Sequence, residues 1–285
     1  DALRSLGPRI GFRCVVSTGG EAVTDTADVL EFLAADEGTG VVALFLETVR
    51  RPAAFTAALE RCAESGKPVV CLKVGRSEAA ARAALTHTGA LVGSDSAFTA
   101  ALRRYGAIRV GDFHELVETL ELLAAPRRPR GRRLAAVSES GGECALLADH
   151  ADDAGIPFEP LPDGLAAALR VEFPNFLAPQ NPLDAWAVAD EAVVYPRTLE
   201  LLARSGCFDV LLAQVDLSRY RGAPEEAWTS LVVRALADAV AGTAVAPAVV
   251  SVHATDPPPA IAAEARSLGV PLLRGTREAA AALAY

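Results

Sequence analysis

The stretch Leu134-Ala135-Ala136-Val137-Ser138-Glu139-Ser140-Gly141-Gly142-Glu143-Cys144-Ala145-Leu146-Leu147-Ala148-Asp149 decides the fold. A short apolar run, Leu134–Ser138, stops at a Ser/Gly turn and passes into an Ala/Leu-rich amphipathic segment, Gly142–Ala154. Strand, turn and helix in that order are half of a βαβ unit, which implies parallel sheet. Downstream the same alternation predicts strands Phe158–Leu161, Val210–Val215, Ala248–His253 and Pro271–Leu273. The helices between them are Gly164–Val171, Tyr195–Ser205, Glu225–Ala241, Pro258–Leu268 and Thr276–Ala284. Upstream it predicts strands Cys14–Ser17, Val41–Leu46, Pro68–Lys73 and Ile108–Val110. These are interleaved with helices Asp25–Ala35, Pro52–Ser65, Ser77–Ala84, Asp95–Tyr105 and Phe113–Ala124.

Between the two series lies Pro126–Arg133, two prolines and a glycine among packed arginines, which reads as an exposed, solvated linker. The expected organisation is a first domain over 1–125, a linker over 126–132 and a second domain over 133–285. At roughly 150 residues per domain, 285 residues suit two domains. With 51% hydrophobic and 22% charged residues the chain is an ordinary globular protein that needs no staples. A net charge of -9 argues against nucleic acid or an anionic membrane as partner. No apolar run approaches the ~20 residues of a membrane span. The five cysteines form no CxxC pair and sit mostly beside apolar runs, as buried thiols of a reducing compartment do. The four histidines show no metal-ligand spacing, so no metal is expected. Methionine is absent even at position 1, and the sequence reads as part of a longer translated product.

The two series align from their C-terminal ends. Val41–Leu46 matches Val210–Val215, Pro68–Lys73 matches Ala248–His253, and Ile108–Val110 matches Pro271–Leu273. The first series then lacks a counterpart of Leu134–Ser138 and its helix. The expected fold is α/β: two flavodoxin-like, doubly wound parallel domains of strand order 2-1-3-4-5, the first entering one strand–helix unit late.

Ligand chemistry in such sheets gathers at the C-terminal ends of strands. Four segments fall there. Ser17-Thr18-Gly19-Gly20 can bring backbone N–H groups to an anion, or serve simply as a turn. Glu47 ends the Val41–Leu46 run, placed to hold a histidine ring or to face water. Lys73-Val74-Gly75-Arg76-Ser77 leads to Thr86-His87-Thr88-Gly89, a histidine among hydroxyls and a glycine. Ser140-Gly141-Gly142 opens a helix, where unpaired N–H groups suit a phosphate, although Glu139 and Glu143 oppose one.

From Lys67 to Asp95 the sequence follows the pattern KPVVxLKxGRSExxxxAAxxHTGxLxGSD and resembles the NDP-forming acyl-CoA synthetases, the superfamily of succinyl-CoA synthetase and ADP-forming acetyl-CoA synthetase. Val16–Leu33 and Arg133–Asp149 resemble the family's other segments, and Asn181-Pro182-Leu183-Asp184 its NPxD motif; Gly20 stands where many members have Asn. The resemblance implies that His87 is phosphorylated during turnover and that Glu47 holds its ring. It implies phosphate contacts at Ser140, Gly141, Gly142, Gly19 and Gly20, and substrate contacts at Ser17, Gly75, Asn181 and Asp184. It implies CoA and ATP/ADP with Mg as substrates, with no bound prosthetic group. It further implies a CoA-binding domain and an ATP-grasp domain or subunit as partners, a homo- or hetero-oligomer, and a cytoplasmic setting. The alternative is a regulatory, acyl-CoA-sensing module of a larger protein such as an acetyltransferase, in which relatives often lose the histidine.

Overall fold

The computed structural model describes residues 9–75, 77, 94–186, 188–217 and 222–285. The expected helix Ser77–Ala84 (apart from Ser77 itself) and His87 lie outside these residues. The chain divides into two compact units, Asp1–Ala124 and Ala125–Tyr285.

In the first unit, β1 (Val42–Leu46), β2 (Val69–Lys73) and β3 (Ile108–Val110) form a parallel sheet in the order β1-β2-β3. Alternation along β2 divides the core. Val69 and Cys71 pack with α1 (Thr26–Ala35) and α2 (Pro52–Glu64), whereas Val70 and Leu72 pack with α4 (Phe113–Ala124). A further described helix, α3, spans Asp95–Arg104. Each start has a local cause. Asp25 accepts from the amides of Ala27 and Asp28 while Asp28 accepts from the amide of Asp25, a reciprocal cap on α1. Pro52 opens α2, where its missing N–H costs nothing. Lys67 closes α1 from outside: its ammonium donates to the carbonyls of Leu33, Ala34 and Asp36 at 3.0, 2.8 and 2.7 Å.

Among the described residues the second unit has five parallel strands: β4 (Leu134–Ser138), β5 (Leu183–Asp184), β6 (Val210–Val215), β7 (Ala246–Ser251) and β8 (Leu272–Arg274). Their order, β5-β4-β6-β7-β8, is 2-1-3-4-5. One face carries Ala135, Val137, Leu211, Ala213, Val215 and Val249 against α7 (Glu191–Arg204), α8 (Ala223–Val240) and α9 (Pro259–Ser267). α5 (Gly141–Asp153) and α10 (Thr276–Ala284) pack on each other over the opposite face, and α6 spans Asp163–Glu172. By position in this order, β1-β2-β3 correspond to β6-β7-β8, the equivalence expected from the aligned sequences.

Three expectations need correction. Cys14–Ser17 forms no ladder: no described strand lies beside it, and Val15 and Val16 are exposed. Phe158–Leu161 is not a strand either. Pro157, Pro160 and Pro162 remove the amides a ladder needs. The edge position beside β4 goes to Leu183–Asp184, paired with Val137 and Ser138. The arginine-rich segment is exposed at Pro126, Arg128, Arg130, Arg132 and Arg133, as expected, but it is fastened to the second unit rather than free of it. Arg127 donates to the carbonyls of Val240 and Val245, Arg132 to that of Ala284, and Arg133 forms a two-nitrogen pair with Asp209. Pro126 also touches Gly269, a left-handed glycine.

Asn181 replaces the missing ladder. Its side-chain oxygen accepts from the Ala136 amide at 3.2 Å, and its nitrogen donates to the carbonyls of Leu134 (2.8 Å) and Glu159 (2.9 Å). One side chain thus ties the proline-rich run to β4. Asn181→Ala removes three hydrogen bonds worth about 1 kcal/mol each, leaving buried strand groups unpaired. The expected loss is about 3 kcal/mol, a large part of a typical 5–15 kcal/mol. Both tryptophans lie in this unit, so urea unfolding followed by their fluorescence reads it directly; an unshifted midpoint contradicts the bridging role.

Candidate functional site

In the first unit the strand tips assemble as follows. Leu46 and Lys73 are register partners, and the Leu46 carbonyl accepts from the Val74 amide at 2.9 Å. Glu47 therefore emerges beside Val74-Gly75, where the chain departs toward residue 76. Glu47 is half-buried and has no hydrogen bond or ion pair among the described residues. Gly75 is buried with φ +84°, a conformation that favours glycine and turns the chain out of the sheet. Lys73, buried at the tip of β2, donates to the Val74 carbonyl and lies 5.6 Å from the Phe98 ring centre.

The Ser17–Gly20 segment is exposed and turns at Gly19, with the Glu21 amide donating to the Thr18 carbonyl. Glu21 fastens this turn to α1: one carboxylate oxygen accepts from the hydroxyls of Thr18 and Thr26 and from the Thr26 amide. Arg50 lies 3.7 Å from its other oxygen, and Arg51 donates through two nitrogens to Asp25 at 2.7 Å. These ion pairs connect the Gly19-Gly20 turn to the loop that follows Glu47. Sequence reasoning passed over Glu21 and Arg51. Their signal was spacing: Glu21 lies three residues after Thr18, and Arg50-Arg51 follow Glu47 closely.

In the second unit, Ser140 precedes α5 with an extended backbone and no capping hydrogen bond from its side chain. The first amides of α5 lack intrahelical acceptors, the ordinary condition of a helix N-terminus. The sheet sets Asp184 beside this turn: Asp184 pairs with Ser138, and the Ala185 amide donates to the Ser138 carbonyl at 3.1 Å. One Asp184 oxygen accepts from the Trp186 amide at 3.0 Å. The other is 3.2 Å from the point a Cβ on Gly141 would occupy, so a side chain there would require the carboxylate to shift by a few tenths of an ångström.

Glu139 does not point at the turn as an opposing charge. It is buried, accepts from the Trp228 indole N–H and from the Asp216 amide, and holds α8 to the tip of β6. Cys144, in the first turns of α5, is pushed up to about 12 by burial and then by the Asp184 charge; burial pushes Cys71 up to about 12 as well. Cys62 is also buried, Cys207 is half-buried and Cys14 is exposed. Asn181 is committed to the backbone, whereas Asp184 faces the turn.

The structure thus sets Glu47 beside Val74-Gly75, with the Gly19-Gly20 turn fastened to the loop after Glu47. Separately, it gathers Ser140, Gly141, Gly142 and Asp184. Among the described residues no group of three His, Cys, Asp or Glu could hold a metal ion, and no helix is long and apolar enough to cross a membrane.

The Arg51 guanidinium beside Asp25, together with the cap amides, holds the Asp25 carboxyl down at about 2. The folded state therefore favours the ionised form. The resulting stability is complete above the ordinary value near 3.8 and disappears as pH falls toward 2. Asp25→Asn keeps a capping acceptor and removes the charge. Urea unfolding by circular dichroism is expected to show wild type more stable than Asp25→Asn at pH 6, with the gap narrowing at pH 2.5. A pH-independent gap contradicts this.

Residues 2–123 match the family model of the succinyl-CoA ligase like flavodoxin domain. The chain is 38% identical over 188 residues to a trans-feruloyl-CoA synthase from an unknown prokaryotic organism, covering 66% of this chain and 27% of that protein. It is 30% identical over 233 residues to the alpha subunit of the ADP-forming acetate–CoA ligase II of Pyrococcus furiosus, covering 82% of this chain and 50% of that subunit. The chain spans half or less of these relatives. A dinucleotide-forming acetyl-coenzyme A synthetase 1 of Ca. Korarchaeum cryptofilum, solved with phosphate and ADP, superposes with a TM-score of 0.81 at 23% identity. That match covers 99% of this chain and 60% of that one, a likeness of fold.

Proposed function

Because the chain belongs to the NDP-forming acyl-CoA synthetase superfamily, we propose that it is the phosphohistidine-carrying core of an acid–CoA ligase. His87 relays a phosphoryl group between a nucleotide and an acyl phosphate, from which CoA thiolate displaces phosphate to leave the thioester. The observation that carries this reading is Glu47, a half-buried carboxylate without a described partner, where β2 releases the chain toward His87. A carboxylate there accepts one imidazole N–H, fixes the tautomer and leaves the other ring nitrogen as nucleophile. Neutral imidazole suits this near pH 7, because it takes up and returns a phosphoryl group without first losing a proton. Gly75, with its left-handed backbone, turns the chain out of the sheet ahead of the segment in which His87 lies in sequence.

Ser140, Gly141 and Gly142 are assigned a phosphate contact through the N–H and hydroxyl donors at the start of α5. The exposed Gly19-Gly20 turn is assigned a lesser phosphate contact, and Ser17 and Gly75 substrate contacts. The complete enzyme needs a CoA-binding module and an ATP-grasp module, joined in one chain or as subunits. Magnesium enters with the nucleotide. We place the reaction in the cytoplasm, where CoA and nucleotide are available. The domain division follows the two units, with 126–132 as a connector fastened to the second.

Intact-mass spectrometry under alkaline conditions, with ATP, magnesium and an ATP-grasp partner, is expected to show one acid-labile phosphoryl adduct. The adduct is absent from His87→Asn. Glu47→Gln, which keeps the shape and loses the charge, forms it at least about tenfold more slowly. A folded, partner-supplied chain that binds acyl-CoA but never gains the adduct moves the reading to an acyl-CoA-sensing module.

A further inference from the structure

We infer that Gln214 is a positioning residue for the turn at the start of α5: its side-chain amide takes up the Glu143 carboxylate when a phosphate or phosphoryl group occupies that turn. The inference deepens the proposed function and rests on it, because it takes Ser140, Gly141 and Gly142 as a phosphate contact.

Gln214 lies in β6, the central strand of the second unit, and is fully buried. Neither its side-chain oxygen nor its nitrogen has a hydrogen-bond partner among the described residues. A buried amide in that condition costs stability, and an apolar side chain of similar size fills the same space without the cost. Folding alone therefore does not account for a glutamine here.

Its place in the sheet does. Leu211, Ala213 and Val215 face α7, α8 and α9, so Gln214 faces the side that carries α5 and α10. The register that pairs Val137 with Ala213 sets Ser138 beside Gln214 on that same side. Ser138 reaches the first turn of α5: its hydroxyl donates to Glu143 at 3.4 Å and shares a hydrogen bond with the Cys144 thiol. Gln214 thus lies beneath that turn, next to the residue that holds Glu143. Between β4 and β6 the strand order reverses, which is where doubly wound sheets hold their ligands.

Glu143 is the group that must respond to an arriving anion. It stands in the first turn of α5, where its charge suits the helix N-terminus and opposes any second anion there. The bond from Ser138 is long for a hydroxyl–carboxylate pair and is readily exchanged. The Gln214 amide offers two N–H donors at the neighbouring position on the sheet. Once turned onto it, the Glu143 carboxylate leaves the helix entrance and the amide gains its missing partner, so both changes favour the occupied turn. Asp184, the other acid beside the turn, is held by the Trp186 amide, and its charge is the same in both states.

The test titrates the full chain, isotopically labelled at glycine, with inorganic phosphate and follows the Gly141 and Gly142 amide signals by NMR. Gln214→Met is expected to weaken phosphate binding about tenfold and to raise the urea midpoint measured without phosphate. Glu143→Ala alone tightens phosphate binding, and in that background Gln214→Met changes the affinity by less than about twofold. An unchanged affinity in Gln214→Met, or the same loss in both backgrounds, overturns the inference. So does a lowered urea midpoint, which means that the amide is already bonded in the free fold. A wild-type chain whose Gly141 and Gly142 signals ignore phosphate overturns it as well. The His87 adduct, measured separately, then shows whether the proposed function falls with it.

Discussion

The second unit depends on a side-chain amide acting as backbone. A five-strand parallel sheet needs an edge strand beside its first strand, and the segment after α5 cannot supply one because its prolines lack donors. Asn181 supplies the donor and acceptor instead, joining Leu134, Ala136 and Glu159 through one planar group. Two residues later the real ladder begins, and it fixes Leu183 and Asp184 opposite Val137 and Ser138. The position of Asp184 over Gly141 follows from that register. Moving the strand by one residue would direct the neighbouring side chain toward the turn instead.

The units solve the same problem with different chemistry at their strand tips. In the second, the Glu139 carboxylate at the tip of β4 is drawn into a packed arrangement with the Asp216 backbone amide and with Trp228, whose ring meets Tyr195 edge-on at 5.3 Å. In the first, Glu47 at the tip of β1 has no such partner among the described residues, and the surrounding charges are directed to the Glu21–Arg50 and Asp25–Arg51 pairs. The fold repeats while the commitment of its carboxylates does not. A buried and satisfied carboxylate fixes structure, and an unsatisfied one at a strand tip is available for chemistry.

Most of the fold was legible because its strands are short, apolar and bounded by turn residues. β3, β4, β6, α4 and α10 occur at the bounds their patterns suggest. The sequence misled where a strand depends on its neighbour rather than on its own residues. Cys14–Ser17 has the composition of a strand and no described partner, whereas Leu183–Asp184 is too short to show a period and is held by pairing alone. The arginine-rich segment also misled, because composition reports solubility and not which carbonyls lie within reach. At the site, Glu47 and Ser140-Gly141-Gly142 were legible from their place after strands. The assignment of Asn181 to the backbone was not, since nothing in a motif separates a residue that touches ligand from one that positions its neighbour.

Lys67, the first residue of the family pattern, illustrates that last point in another way. Its three N–H bonds diverge to the three carbonyls at the end of α1, so the site is matched to a tetrahedral donor. A guanidinium has the same charge, but its donors lie in one plane and face outward. Arginine at 67 would therefore preserve the electrostatics and lose the fit. A substitution that exchange tables count as conservative would here untie the end of α1, which suggests that sequence motifs in such proteins record helix termini as well as chemistry.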